Sequence, residues 1–228
     1  VIPVLVFENK EKEKYEQVNE YFDNNSKDIK PIILINKNGI GFSSCLNYGI
    51  DNSLSTFILR IDTDDKLEPS RIISQINEMY NYNLDICSGY MKDQNDNILK
   101  YPNNYYSLVL MTALGANPIA HPSICIRRDL LNIKYNIKLK KCEDFELWIS
   151  LFLVKDIKFK CLNFPITTYD TSRSFEKDKE NALSQIKIRL RLLKKLSIFF
   201  FILLIGIFPN IIRFIIGNRF LLKIRRLF

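Results

Sequence analysis

The 228-residue chain is poor in the residues that build metal clusters and redox sites. It has one histidine, and its cysteines form no C-x-x-C pair. A structural zinc site needs closely spaced sulfur and nitrogen ligands, so this sequence excludes one. The cysteines are five in number and widely scattered, at Cys45, Cys87, Cys125, Cys142 and Cys161. Such an odd set is typical of reduced, mostly buried thiols in a cytosolic compartment.

Acidic residues are absent from residues 187–228, which carry ten Lys and Arg. Since the chain has 33 bases in all, the first 186 residues hold 23 bases against all 25 acids. The net charge of +8 therefore belongs to a hydrophobic C-terminal segment and not to the body of the protein. This distribution favours a membrane surface as a partner and argues against nucleic acid.

The same C-terminal segment contains an uncharged run at residues 196–208. Positive charge on both sides of this run conflicts with the charge bias of membrane-spanning helices. Further on, Arg219, Lys223 and Arg226 recur at helical spacing opposite apolar residues, which is typical of a helix that lies on anionic lipid. We therefore predict a hydrophobic, amphipathic helical tail that is peripheral or monotopic on the cytoplasmic face of the cell membrane.

Short apolar runs alternate with helical periods, which predicts an α/β fold with a mostly parallel sheet flanked by helices. We expect strands at Val4–Phe7, Ile32–Ile35, Phe57–Ile61, Leu84–Met91, Ser123–Arg127 and Ile157–Leu162. We expect helices near Lys12–Phe22, Phe42–Asp51, Tyr105–Leu114 and Glu143–Val154, and one that Pro69 opens. In that last helix, the apolar spacing predicts that Ile72, Ile73, Ile76, Met79 and Tyr80 face the core. The chain divides into a domain over residues 1–171, a linker over 172–186 and the tail over 187–228.

Three carboxylates, Asp62, Asp64 and Asp65, follow the apolar run that ends at Ile61. Residues two apart in extended chain project to one side, so Asp62 and Asp64 can converge on one point. Hard oxygen ligands with few neighbours suit Mg²⁺ or Mn²⁺. An Asp-rich turn that caps its own backbone amides is the alternative interpretation.

The context of these carboxylates resembles a known family. The segment 38–50 reads NGIGFSSCLNYGI, the strand at 57–65 ends in DTDD, and Pro69, Arg71 and Gln75 follow. This order resembles family-two glycosyltransferases of the GT-A fold, which is a Rossmann-like fold, over about residues 4–170. The resemblance implies that Asp62 and Asp64 hold a divalent cation on the diphosphate of a nucleotide sugar, with Asp65 adjacent.

The resemblance also implies a donor pocket around the glycine-rich segment. Backbone amides at Gly39 and Gly41 could approach phosphate or ribose closely, although a plain tight turn is the alternative. Asn47 matches a family Asn near the nucleotide, with helix packing as the competing interpretation. His121 lies in a loop where it could touch diphosphate, metal or acceptor, and a structural role is its alternative.

A second motif, EDFELW at residues 143–148, resembles the family's E-D-x-x-L-W. The resemblance implies that Asp144 acts as catalytic base, with Glu143 as the alternative. Acids in a first helical turn are also favoured by the helix dipole alone, by about 0.3–1 kcal/mol each. Phe145, Trp148 and Phe152 are spaced for core packing.

The N-terminal part departs from the family pattern. Val4–Asn9 fits the family's second strand, so we expect the first strand and helix to be missing, and Glu8 to be the visible candidate for base recognition. The function that follows is inverting, metal-dependent transfer of one sugar from a nucleotide-diphosphate sugar, with a UDP-sugar favoured, to a glycan or lipid-linked acceptor in bacterial surface polysaccharide synthesis. The alternative is a catalytically degenerate, membrane-bound partner protein.

Overall fold

The computed structural model describes residues 1–25, 31–37, 39–113, 116–154, 156–169, 177–193 and 205–216. Its strands are β1 (Val4–Glu8), β2 (Ile32–Asn36), β3 (Phe57–Leu59), β4 (Lys66–Leu67), β5 (Ile86–Lys92), β6 (Ile98–Leu99), β7 (Cys125–Arg127) and β8 (Phe159–Thr168). Its helices are α1 (Lys12–Asn25), α2 (Phe42–Asp51), α3 (Arg71–Asn81), α4 (Tyr105–Ala113), α5 (Glu143–Val154), α6 (Lys177–Leu193) and α7 (Ile207–Ile216). Short 3-10 segments lie at Asn9–Glu11, His121–Ser123 and Arg128–Asn132.

The described strands form two sheets, a two-stranded parallel sheet of β1 and β2 and a six-stranded mixed sheet of the other strands, so the prediction of a mostly parallel sheet is wrong. Strands β1 and β2 pair in parallel, and so do β5 and β8. The other pairings among the described residues (β3 with β7, β7 with β5, β5 with β6, and β4 with β8) are antiparallel. Alternating strands and helices predict crossovers, but β6 turns back along β5 across a tight turn and β7 enters between β3 and β5 in the opposite direction.

Helix α3 buries only part of the face that its apolar spacing predicts. Met79 is fully buried as predicted, but Ile73 and Tyr80 are 69% and 65% exposed, and Arg71 and Gln75 are fully buried instead. The apolar pattern misleads here because two polar side chains point inward to bond the backbone of the sheet. Their buried positions hold the end of β3 against β5 and β7.

Helix α5 is the centre of the main core. Phe145, Trp148 and Phe152 are buried, as their spacing predicts. Trp148 and Phe152 pack with core residues that include Ile86 and Ile126 of the central strands. This packing anchors α5 on the core, and the first turn of the helix carries the two acids of the second motif.

Helix α6 packs against α5, and the predicted boundary at residue 187 falls inside it. Arg189 is fully buried, donates to the carbonyl of Thr112 and stacks on the ring of Phe145 at 4.7 Å. Arg191 forms an ion pair with Glu146 of α5. Two of the ten bases that the sequence assigns to the tail therefore contact the domain itself.

Much of the predicted tail, residues 194–204 and 217–228, lies outside the described residues. Helix α7 packs on α6. Across the ranges that the structure describes, no helix is both long enough and apolar enough to cross a membrane.

Candidate active site

The carboxylate turn begins where β3 ends. The amide of Asp65 donates to the carbonyl of Asp62 at 3.2 Å, which closes the turn, and Arg60 forms an ion pair with Asp62. Asp62 and Asp65 are partly buried and Asp64 is exposed. Within the described part of the chain, no three acidic, histidine or cysteine side chains converge as a preformed metal cluster. The oxygen ligands on this turn fit Mg²⁺ or Mn²⁺ only if water and substrate oxygens complete the coordination shell.

Arg60 lies at the centre of the candidate site and is 8% exposed. One nitrogen, Nη2, donates to Asp62, while Nε and Nη1 have no hydrogen-bond partner among the described residues. The ring of Phe42, the first residue of α2, covers the guanidinium at 5.4 Å. The positive charge of Arg60 acts on Glu143 and Asp144, so the carboxylate turn and the acids of α5 share one electrostatic environment.

The two acids of the second motif stand at the N-terminus of α5. Asp144 accepts a hydrogen bond from the amide of Phe145 at 2.7 Å and another from the side chain of Asn117. Burial raises the pKa of Asp144, and these two hydrogen bonds oppose the rise. Burial also raises the pKa of Glu143, and the neighbouring Asp144 charge adds to it. A raised pKa makes a carboxylate a stronger base, which suits both groups to accept a proton.

His121 is buried beside this pair. Its Nε2 lies 2.7 Å from the hydroxyl of Tyr135, and its ring meets those of Phe42 and Trp148 edge to face at 6.3 and 6.0 Å. Burial, helped by the charge of Arg60, holds the pKa of His121 well below its usual 6.5. The hydrogen bond to Tyr135 and the two ring contacts favour the structural interpretation of His121.

The glycine-rich segment forms a tight turn at the start of α2. A side chain at Gly39 would collide with Ser44, and Gly41 has a φ of +94°, a conformation that side-chain-bearing residues rarely adopt. The amide of Gly41 donates to the carboxylate of Glu8 at 3.0 Å. Glu8 also pairs with Lys10 at 2.8 Å. The structure thus brings Glu8 to the turn that contains Gly39 and Gly41, and the carboxylate of Glu8 accepts a hydrogen bond from that turn.

Asn47 acts as a clamp between α2 and the segment after β7. Its Nδ2 donates to the carbonyl of Tyr135 at 2.9 Å, and its Oδ1 accepts from the amide of the same residue at 3.0 Å. Both ends of the side chain therefore bond protein backbone. This geometry favours the packing interpretation of Asn47, which acts on the site by holding Tyr135 against His121.

Three residues of the site gain a role only from the structure. Arg60 stands in the quoted motif, but the sequence alone assigns it no function. Asn117 lies in the same loop as His121, and its position before Pro118 is a weak signal. Tyr135 carries no signal, because its contacts with Asn47 and His121 depend on the folding of distant segments onto each other.

Comparison with solved structures shows the fold. The chain superposes on the S. aureus TarS fragment 1–349 with a TM-score of 0.65 at 14% identity, covering 96% of this chain and 73% of that one. The same fragment was also solved with UDP-GlcNAc, with a TM-score of 0.62 at 16% identity, covering 94% of this chain and 64% of that one. The mannosyltransferase PcManGT from Pyrobaculum calidifontis, solved with GDP-Man and Mn²⁺, gives a TM-score of 0.62 at 11% identity and covers 98% and 63%. The fold is therefore GT-A, as the sequence resemblance implies.

Sequence comparison gives a relative and a family. An uncharacterised glycosyltransferase from Methanocaldococcus jannaschii is 26% identical over 191 residues, which are 81% of this chain and 63% of the relative. The chain thus spans less than two thirds of the length of that relative. The family model for glycosyl transferase family 2 matches residues 4–137, which include the glycine-rich turn, the carboxylate turn and His121. This match covers more than half of the chain, and the chain belongs to glycosyl transferase family 2.

Proposed function

We propose that this protein transfers one sugar from a nucleotide-diphosphate sugar to a hydroxyl of a glycan or lipid-linked acceptor, with inversion and with the help of Mg²⁺ or Mn²⁺. The observation that carries the proposal is the meeting of two acidic elements. Arg60 links them: it forms an ion pair with Asp62 of the carboxylate turn, and its charge acts on Glu143 and Asp144 at the start of α5. The carboxylate turn offers oxygen ligands to a cation, and the acids of α5 can accept a proton. A displacement at an anomeric carbon needs both functions.

In the proposed reaction, Asp144 takes the proton of the acceptor hydroxyl. The hydroxyl oxygen forms a bond to the anomeric carbon, and the bond from that carbon to the diphosphate oxygen breaks with its electron pair on the departing nucleotide. Asn117 and the amide of Phe145 hold Asp144 in place for this transfer. Glu143 is the alternative base, because its pKa is raised in the same pocket. A cation on Asp62 and Asp64 would neutralise charge on the diphosphate.

A UDP-sugar is the donor we favour, and bacterial surface polysaccharide is the product we favour. The solved structures with the same fold support a nucleotide-sugar donor in general, since they were solved in complex with UDP-GlcNAc and with GDP-Man. Positioning and electrostatic stabilisation would account for most of the rate in such a site.

The test is binding followed by turnover. We would titrate the chain with UDP and with GDP, with and without Mn²⁺, and repeat the titrations with Asp64→Ala. The matched control is Asp129→Ala, which removes an exposed aspartate outside the site. We expect binding that depends on Mn²⁺, that Asp64→Ala abolishes and that Asp129→Ala leaves unchanged. No binding by well-folded wild-type protein would contradict the proposal and favour the degenerate partner.

We also propose that the C-terminal segment attaches the protein to an anionic membrane surface on the cytoplasmic side. Phe208, Ile211, Phe214 and Ile215 of α7 are all exposed, and basic residues follow them in the sequence. Exposed apolar side chains beside positive charge are typical of helices that lie on lipid. We expect co-sedimentation with vesicles that contain phosphatidylglycerol, and weaker co-sedimentation for Phe208→Ser. Equal sedimentation with neutral and anionic vesicles would contradict the charge argument.

A further inference from the structure

We infer that Arg60 binds an anionic group of the donor, either a diphosphate oxygen or a carboxylate on the sugar. This inference rests on the proposed function and adds a ligand-binding residue to it. The side chain is 8% exposed and stands at the carboxyl end of β3, the edge where α/β folds bind their ligands.

The hydrogen bonding of Arg60 within the described residues is incomplete, and Arg60 differs from the similarly unpaired Arg189 in standing next to the carboxylate turn. A buried guanidinium is costly unless its charge and its N–H groups are matched. Asp62 matches the charge through Nη2, but Nε and Nη1 have no partner within the described ranges. These two nitrogens carry donors that an incoming oxygen anion would satisfy.

Arg71 provides an internal comparison, because it is also buried and contacts the same strand end. Its Nε donates to Gln75 at 3.0 Å, its Nη1 to Thr167 at 2.9 Å and its Nη2 to the carbonyl of Arg60 at 2.6 Å. Every nitrogen of this guanidinium is used within the protein. The same fold therefore completes one buried arginine and leaves the other with open donors.

The surroundings of Arg60 indicate an anion rather than a neutral group. Asp62 is one of the carboxylates proposed to draw a cation, so a donor phosphate attracted to the turn arrives beside the guanidinium. Phe42 covers the guanidinium face and is itself 47% exposed, so the group that covers Arg60 is not buried in the core. When the anomeric carbon loses the diphosphate, the electron pair stays on a phosphate oxygen, and a fixed positive charge beside that oxygen stabilises it.

The experiment compares the affinities of Arg60→Gln and wild type for three ligands at saturating Mn²⁺: UMP, UDP and UDP-glucuronic acid. If the diphosphate is the partner, we expect UDP to bind about 10- to 100-fold more weakly while UMP is little changed. If a sugar carboxylate is the partner, only UDP-glucuronic acid loses this affinity. Equal affinities of variant and wild type for all three ligands would overturn the inference.

The matched control is Arg127→Gln. Arg127 stacks on Phe57 at 5.4 Å, the same distance as Arg60 on Phe42, but it bonds the carbonyl of Leu84 and lies away from the pocket. We expect this variant to lower the melting temperature without weakening UDP binding. An equal loss of UDP affinity in both variants would show a general folding effect and overturn the inference.

A second variant covers the case in which Arg60→Gln does not fold. Arg60→Lys keeps the positive charge that faces Asp62 but lacks the planar set of donors, so we expect UDP to bind roughly fivefold more weakly. Unchanged affinity in folded Arg60→Lys would count against Arg60 as a donor-binding residue. If wild-type protein binds no nucleoside diphosphate with Mn²⁺, the proposed function fails and the inference fails with it. If wild type binds and Arg60→Gln binds equally well, only the inference about Arg60 fails.

Discussion

Two buried arginine networks meet at the end of β3, and they differ in how complete they are. On helix α3, Arg71 and Gln75 form a closed network in which the nitrogens of both side chains bond protein oxygens. Burial lowers the pKa of Arg71 to about 10, so it stays charged at neutral pH. A closed network of this kind rigidifies the strand end and specifies its position.

Directly after β3, Arg60 forms an open network with Asp62, and its charge acts on Glu143 and Asp144. Two of its nitrogens lack partners among the described residues, and the neighbouring acids have raised pKa values. Arg60 and Arg71, on either side of the carboxylate turn, therefore differ in what their side chains bond. Arg71 follows the carboxylate turn in the family pattern and bonds the sheet, whereas the open network is the one that we propose binds the donor.

The largest effect should come from the reacting end of the open network. We expect Asp144→Asn to lower turnover about 10³-fold, because an amide cannot accept the proton of the acceptor hydroxyl. Stability should stay the same or rise, since the variant removes a carboxylate whose pKa burial raises. Initial rates of donor consumption and urea unfolding measure the two quantities.

The control for this prediction is Asp129→Asn, an exposed aspartate on a 3-10 helix. It should change neither turnover nor stability. Undiminished turnover in Asp144→Asn would remove Asp144 from the role of base and direct attention to Glu143.

The closed network should show its effect in stability. We expect Arg71→Leu to lower the free energy of unfolding by about 3 kcal/mol, because Gln75, Thr167 and the carbonyl of Arg60 lose a buried donor. Urea denaturation measures it. The control on the same helix is Ile73→Ala, which should cost less than about 0.5 kcal/mol because Ile73 is 69% exposed. A larger loss of stability in Ile73→Ala than in Arg71→Leu would contradict this prediction and favour the apolar face that the sequence predicts for α3.

The sequence predicts the helices of this fold better than its strands. Helices α2 and α5 begin and end where the periodicity places them, because each combines an apolar face with clear boundaries such as Gly41 before Phe42. Local sequence periodicity does not determine whether neighbouring strands run parallel or antiparallel. The antiparallel entry of β7 depends on how the chain from β5 through α4 folds back, which is a long-range property.

The candidate site shows the same division. The motifs place Asp62 and Asp144 correctly at a strand end and a helix start, since both positions are local features. The inward direction of Arg71 is hidden, because hydrophobicity assigns a charged residue to the surface. The bond between Asn47 and Tyr135 joins residues 88 positions apart, so no spacing rule could have shown it.

Asn47, like Arg71, has side-chain hydrogen bonds that are completed within the protein, so we expect it to act on stability rather than on ligand binding. We expect Asn47→Ala to lower the free energy of unfolding by about 2 kcal/mol, because both hydrogen bonds to the backbone of Tyr135 disappear. UDP affinity should change little if the role is packing. The control is Asn52→Ala at the exposed end of the same helix, which should cost less. A large loss of UDP affinity with little loss of stability would contradict the packing interpretation.

The smallest expected effect is a shift in pH dependence within the open network. Asn117 donates to the ionised form of Asp144 and so lowers a pKa that burial raises. Removing the donor in Asn117→Ala lets this pKa rise further. A general base works only when deprotonated, so activity falls as pH drops through that pKa, and the acid limb of the kcat/KM profile should move to higher pH.

The control for this shift is Asn132→Ala, an exposed asparagine on the 3-10 helix at Arg128–Asn132. Its profile should match that of wild type. A limb that stays in place in Asn117→Ala, or moves to lower pH, would mean that the titrating base is a group other than Asp144. The direction of this movement therefore separates a proton-accepting Asp144, tuned by its neighbours in the open network, from one that merely begins helix α5.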